Sequence, residues 1–212
     1  MFETSFVIMD ARLKHPLTCL VAGPTGCGKS VFTFKLISEA QELINPPPER
    51  IMYCYSMYQS IFDEFPQVEF HEGLPDIAQF DGKLRYLLIL DDMMTQVNDS
   101  VSDLFTRVSH HKNLSVIFLT QNIFHQSKQN RTMSLNSHYL VLFKNPRDAM
   151  QVATLGRQMF PGKAKFLIEA FVDATSKPFG YLLIDLKADT EQKFRIRTNI
   201  FQDERQFVYV PK

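Results

Sequence analysis

Residues 18–37 read Thr18-Cys19-Leu20-Val21-Ala22-Gly23-Pro24-Thr25-Gly26-Cys27-Gly28-Lys29-Ser30-Val31-Phe32-Thr33-Phe34-Lys35-Leu36-Ile37. The middle of this stretch, Gly23 to Ser30, is a complete Gly-x4-Gly-Lys-Ser pattern. Its glycines allow a backbone path that turns successive N–H groups inward, toward a phosphate. Lys29 is long enough to reach β- and γ-phosphates, and the Ser30 hydroxyl is a magnesium ligand in such loops. The flanks agree. Residues 18–22 are a short apolar run that predicts a strand, and residues 31–37 leave the loop with helical periodicity. Strand, loop, helix is the order the pattern needs, and the helix N-terminus adds its positive dipole end. Gly23, Pro24, Thr25, Gly26, Cys27, Gly28, Lys29 and Ser30 are therefore the expected nucleotide-binding residues.

Working outward, apolar runs and helical segments alternate. Asn45-Pro46-Pro47-Pro48-Glu49 is a rigid break that cannot continue a helix. Residues 51–55 predict a strand, 57–65 a short helix and 68–71 a short strand, with a turn at Asp81-Gly82. Tyr86-Leu87-Leu88-Ile89-Leu90 is almost purely apolar, as suits a strand buried on both faces. A helix is expected over 99–110, capped by Asp99 or Ser100. Buried strands are expected at 114–119 and 139–143. Helices follow at 147–160 and 163–174, split by Pro161-Gly162, and late strands at 181–186 and 194–198. The polar stretch His125 to Arg131 is the expected mobile loop. This alternation argues an α/β fold with a mainly parallel sheet flanked by helices.

The bulk numbers agree with one domain. The chain has 212 residues, 45% hydrophobic and 22% charged, with zero formal net charge. That length supports a substantial core. A basic nucleic-acid footprint is absent from the total, although a local patch is compatible with it. Cys19, Cys27 and Cys54 show neither CxxC nor zinc spacing, which suggests unpaired thiols in a reducing compartment. No apolar run approaches the ~20 residues that span a bilayer. The first residues lack a signal-peptide pattern. A soluble, intracellular protein is the expectation.

Three further features carry chemistry. Leu87-Leu88-Ile89-Leu90-Asp91-Asp92 is a hydrophobic strand ending in two carboxylates. Asp91 is the expected magnesium-orienting group beside Ser30, and Asp92 the base that polarises the attacking water. Many ATPases of this type carry Glu at the second position; Asp is one methylene shorter. Thr120-Gln121-Asn122 follows the 114–119 strand. In a parallel sheet the strand ends line one ligand-binding edge, and Gln121 is the expected sensor of the γ-phosphate or water. An arginine finger is the last part. Arg107, Arg131 and Arg147 are its candidates, in that order. His110 and His111 lack a third metal ligand nearby and read as surface or interface residues.

Taken in order, these features resemble the FtsK/HerA superfamily of ring-forming DNA translocases. The likeness is to the genome-packaging ATPases of double-stranded DNA viruses, especially polinton-like viruses, adintoviruses and virophages. It is carried by Val21 to Ser30, Leu88 to Asp92, Leu104-Phe105-Thr106-Arg107 through Asn113, and Val116 to Asn122. It continues through Arg131-Thr132-Met133-Ser134-Leu135-Asn136, Leu142-Phe143-Lys144-Asn145-Pro146-Arg147-Asp148 and Tyr181 to Leu186. The phosphate loop alone is generic; the Arg-Thr-x-Ser-Leu-Asn and Phe-Lys-Asn-Pro-Arg-Asp segments are far more specific. The resemblance spans roughly residues 8–201 of a single 1–212 ATPase domain.

The resemblance implies a RecA-like core of the additional-strand class, sheet order 5-1-4-3-2. It implies a homo-oligomeric ring, pentamer or hexamer, with ATP and Mg²⁺ sites between subunits. It implies that hydrolysis drives duplex DNA through a capsid or portal protein into a preformed capsid, in the host nucleus or a viral factory, without a membrane. Lys29, Asp92, Gln121 and Arg107 would be catalytic, and Ser30 and Asp91 would hold metal. Asp at the second Walker B position departs from the family, and no nuclease domain is expected. Lys112, Lys128 and Arg131 are candidates for phosphate-backbone contact. Two other readings stay open, a nucleoside or nucleotide kinase and a nucleotide-dependent assembly switch. A transporter ATPase is disfavoured because no Leu-Ser-Gly-Gly-Gln signature is present.

Overall fold

The structure is a computed structural model that describes residues 10–93, 99–121, 128–147 and 149–211, the side chains at 99, 100, 110 and 128–130 excepted. Its strands are β1 (Leu13–Lys14), β2 (Thr18–Ala22), β3 (Ile44–Asn45), β4 (Arg50–Tyr55), β5 (Glu69–Glu72), β6 (Tyr86–Asp91), β7 (Leu114–Thr120), β8 (Tyr139–Phe143), β9 (Tyr181–Asp185), β10 (Ile196–Thr198) and β11 (Phe207–Tyr209). Its helices are α1 (Lys29–Ser38), α2 (Ala40–Leu43), α3 (Asp99–Asp103), α4 (Ser109–His111), α5 (Lys128–Leu135), α6 (Ala149–Met159) and α7 (Ala164–Ala174).

One nine-stranded sheet runs β11-β10-β9-β8-β2-β7-β6-β4-β5, and β1 and β3 form a separate parallel pair. From β8 to β5 every neighbouring pair is parallel. From β8 to β11 every pair is antiparallel. The sheet is therefore mixed, and an order written for five strands describes only part of it. The switch has a topological cause. One helix returns the chain to the opposite sheet edge, so the next strand is parallel. Here two helices, α6 and α7, separate β8 from β9. The chain therefore re-enters from the edge where β8 ended. Gly156 lets the helices pack closely: a Cβ there would lie 2.7 Å from the Ala164 carbonyl oxygen.

The central strands are buried from end to end, and their period-two alternation feeds two cores. Leu88, Leu90, Val116 and Phe118 face one core with Leu104, Phe105, Val152, Leu167 and Ala170. Leu87, Ile89, Ile117 and Leu119 face the other with Phe32, Phe34, Leu36 and Ile37 of α1. Helix α1 is pinned there by rings: Phe34 stacks on Tyr53 at 5.4 Å and Phe32 meets Tyr181 edge-on at 4.8 Å. Burying such aromatics supplies a large share of core stabilisation.

Several expectations are corrected. The 57–65 helix is a 3₁₀ segment, Ser60–Glu64. The helix over 99–110 is interrupted by a π-helical turn at Leu104–Val108. Residues 128–131, expected as part of a mobile loop, open helix α5, which reaches the core through buried Met133. Residues 122–127, the Asp99 or Ser100 cap and the His110 side chain lie outside what the structure describes. Among the described residues no helix is long and apolar enough to cross a membrane. All three cysteines are free thiols. Burial pushes the Cys54 thiol up to about 12.

Candidate nucleotide site

Register decides where the chemistry collects. Ala22 pairs with Thr120, and Leu119 with Asp91. The last residues of three adjacent strands, β2, β7 and β6, thus stand level at one edge. Beyond them lie the phosphate loop, Gln121 and Asp92. All three open on one cleft of about 300 Å³. Its lining includes Thr25, Gly26, Gly28, Lys29, Ser30, Asp91, Asp92 and Gln121. The loop is tied to the β7 end by a 3.2 Å hydrogen bond from Gly23 N–H to the Thr120 carbonyl.

Two glycines are sterically required in the loop. At Gly23 a Cβ would lie 2.6 Å from Cys27 Sγ and 2.7 Å from Phe143 Cβ. Gly28 has φ 110° and caps α1, a backbone that disfavours any side chain. No acidic residue occupies the first turn of α1, so the helix dipole is left to favour an anion. Lys29 Nζ donates to the carbonyls of Gly23 at 2.7 Å and Pro24 at 3.0 Å. The ammonium is thereby held at the neck of the loop.

Asp91 is half-buried, and its Oδ2 accepts a 2.7 Å hydrogen bond from the Tyr53 hydroxyl. Burial raises its pKa above the ordinary carboxylate value; the Tyr53 bond opposes this, the charge of Asp92 adds to it, and that of Lys29 lowers it. Asp92 is exposed and has φ 55°. Asp tolerates the left-handed region better than most residues, and the turn brings its carboxylate to the cleft wall. Gln121 is also exposed at the wall. Ser30 and Asp91 offer hard oxygen donors on one cleft, the donor class magnesium takes beside phosphates and water. Among the described residues there is no cluster of three His, Cys, Asp or Glu suited to hold a metal without a ligand's help.

The three arginine candidates stand apart from this lining. Arg107 sits on the π-turn, 72% exposed at its side chain, with a 3.0 Å ion pair to Asp103. Arg131 and Arg147 are exposed on α5 and after β8. Lys112 is half-buried, and Lys128 lies on α5. Sequence reasoning missed Gln59 and Phe179, which also line the cleft, and Tyr53 behind it. Gln59 and Tyr53 are brought in by tertiary packing alone. Phe179 had one local signal, the Lys177-Pro178-Phe179-Gly180 turn.

The fold has solved counterparts. A genome packaging NTPase, B204 from Sulfolobus turreted icosahedral virus 2, solved with ATP-gammaS, aligns with 96% of this chain and 100% of its own, at TM-score 0.51 and 11% identity. The chain has the α/β fold of P-loop NTPases. A KaiC-like protein of Pyrococcus horikoshii OT3 aligns over 92% of this chain and 91% of its own at TM-score 0.46 and 11% identity. ATPases 2 and 3 of Thermomonospora curvata EccC align over 58% of this chain and 30% of theirs at TM-score 0.41 and 15% identity. No protein-family profile and no curated protein sequence matches the chain. Within the P-loop NTPase fold, the cleft occupies the edge where ligands bind in open α/β sheets.

Proposed function

We propose that the protein is an ATP-hydrolysing motor of the FtsK/HerA type that moves double-stranded DNA into a preformed capsid. The observation that carries the hydrolytic part is the convergence of Lys29, Ser30, Asp91, Asp92 and Gln121 on one cleft at the ends of three adjacent strands. The packaging part rests on the segments 131–136 and 142–148, and on a shared fold with a genome packaging NTPase.

In this reading the loop N–H groups and Lys29 hold the β- and γ-phosphates. Ser30 and Asp91 would hold Mg²⁺, which when bound neutralises charge on the phosphates. Gln121 orients a water in line with the γ-phosphorus. The water oxygen forms a bond to phosphorus, the bond to the β-phosphate oxygen breaks, and Asp92 accepts the water proton. The products are ADP and phosphate. Arg107 is the first candidate to reach a neighbouring subunit's site: it lies on the helical segment before the Gln121 strand, is exposed, and is absent from the lining of its own cleft. A homo-oligomeric ring would also concentrate Lys112, Lys128 and Arg131 around a channel for DNA, which a neutral total charge permits.

The test is steady-state ATP hydrolysis with and without long duplex DNA across salt concentrations, with Lys29→Ala as control. Turnover stimulated by duplex DNA, weakened by salt and lost in the variant is expected. Turnover that ignores DNA and requires a small-molecule acceptor would replace the motor by a kinase. Tight binding without turnover, even with DNA, would replace it by an assembly switch.

A further inference from the structure

A second cavity opens on the other side of the phosphate loop from Asp91. It measures about 440 Å³ and is lined by Gly26, Cys27, Lys144, Pro146 and the stretch 175–180. It shares Gly26 and Phe179 with the phosphate cleft. The two spaces thus adjoin at these two residues. Sheet order sets their sides: β7 and β6 bring Gln121 and Asp91 to one flank of β2, and β8 brings Lys144 and Pro146 to the other. A triphosphate whose terminal group faces Asp91 would extend its nucleoside toward this second cavity.

Phe179 stands where the two spaces meet. It is 60% exposed. Its ring lies against the loop, its Cδ1 being 2.8 Å from where a Gly28 Cβ would stand. The backbone there is held in an unusual state. Gly180 N–H donates to the Lys177 carbonyl at 3.1 Å, closing a turn with Pro178 second and Phe179 third. Phe179 has φ 61°, at a turn position that normally selects Gly or Asn. A bulky residue in the left-handed region is a genuine outlier, of the kind that clusters at ligand clamps. Neither core packing nor turn chemistry explains an exposed phenyl ring there.

We infer that Phe179 is a stacking platform for the purine base of the bound nucleotide, with the cavity beside it as the base subsite. The inference rests on the nucleotide-binding reading of the phosphate loop. Stacking a base on an aromatic ring is sequence-tolerant, so adenine and guanine nucleotides both engage it.

Titration calorimetry with ADP, GDP and inorganic tripolyphosphate tests this on wild-type, Phe179→Ala and Lys29→Ala protein. Phe179→Ala is expected to weaken ADP and GDP about 10-fold or more and to leave tripolyphosphate unchanged. The chain has no tryptophan, so Phe179→Trp supplies a lone indole that can be excited apart from the tyrosines, its emission expected to be quenched by ADP and not by tripolyphosphate. Equal weakening of ADP and tripolyphosphate would mean that the ring only braces the loop, and would overturn the subsite. Lys29-dependent ADP binding that Phe179→Ala leaves unchanged would overturn the subsite alone. Wild-type protein that binds none of the three would overturn the subsite and the nucleotide reading together.

Discussion

The Tyr53 hydroxyl donates a 2.7 Å hydrogen bond to Asp91 Oδ2, while the face of the same ring stacks on Phe34 of α1. One fully buried side chain thereby joins the helix that follows the phosphate loop to the carboxylate proposed to hold metal. The bond gives the Asp91 carboxylate a fixed partner at the point where the next residue, Asp92, leaves the strand with φ 55°.

Tyr53→Phe should therefore keep the ring stack and lose the orientation. The partly buried carboxylate loses a charge-assisted hydrogen bond, which costs about 1–3 kcal/mol of stability. ATP affinity should hold while the Mg²⁺ concentration for half-maximal turnover rises. Thermal unfolding and a magnesium titration of the ATPase rate read the two effects. An unchanged magnesium requirement would show that Tyr53 has no positioning role.

Arg107 gives the second prediction. Arg107→Ala should bind ATP normally and turn over about 10³-fold more slowly. Mixing it with Lys29→Ala protein should restore part of the rate, since each chain supplies what the other lacks. No recovery on mixing would exclude Arg107 as a group acting between subunits, and Arg131→Ala would be mixed next.

The third concerns Arg197 and Asp185, paired at 3.2 Å and only 3% and 6% exposed. Arg197 also donates to the Ala11 carbonyl at 2.6 Å, yet its Nε has no partner among the described residues. Removing one charge strands the other, so Arg197→Met alone should cost about 3–5 kcal/mol. Arg197→Met with Asp185→Asn should be less destabilised than Arg197→Met alone. Urea unfolding of both variants checks this. A double variant no more stable than the single would show that the pair is uncoupled.

The fourth is a pH dependence from His15. Its Nδ1 lies 2.6 Å from Ser115 Oγ and its Nε2 2.9 Å from Asn113 Oδ1. Ser115 Oγ also accepts from Leu17 N–H at 3.2 Å. A neutral ring protonated on Nε2 satisfies all three bonds. Burial lowers the His15 pKa below 6.5, Arg85 and Lys187 push it the same way, and the Asn113 bond opposes them. The unfolded chain thus takes up a proton from pH 6.5 downward that the folded chain refuses until a lower pH. This stability is complete above pH 6.5 and is lost as pH falls toward the folded value. Melting curves from pH 8 to 5 should show the loss, and His15→Gln should flatten it.

What could be read along the chain was local. The phosphate loop declares itself because its glycines, the Lys29 ammonium and the Ser30 hydroxyl act within one short contiguous stretch. Strands β6, β7 and β8 were legible as apolar runs because burial on both faces leaves no polar positions. The antiparallel half of the sheet was not, because its direction depends on the number of helices between β8 and β9. Helix α5 was hidden by its polar residues, and Met133, buried in the core, marks it as packed. Tyr53 looked like any strand tyrosine; its link to Asp91 spans 38 residues.

The contacts of Lys29 bear on selectivity. An ammonium already resting on the Gly23 and Pro24 carbonyls is not an idle cation. The two carbonyls engage two of its three N–H donors, so the ammonium is aimed before a ligand arrives. A chloride offers the ammonium a single point of contact, whereas adjoining phosphates offer several charged oxygens at once. The lysine's placement thereby favours a ligand that meets it with several oxygens over one that meets it with a single atom.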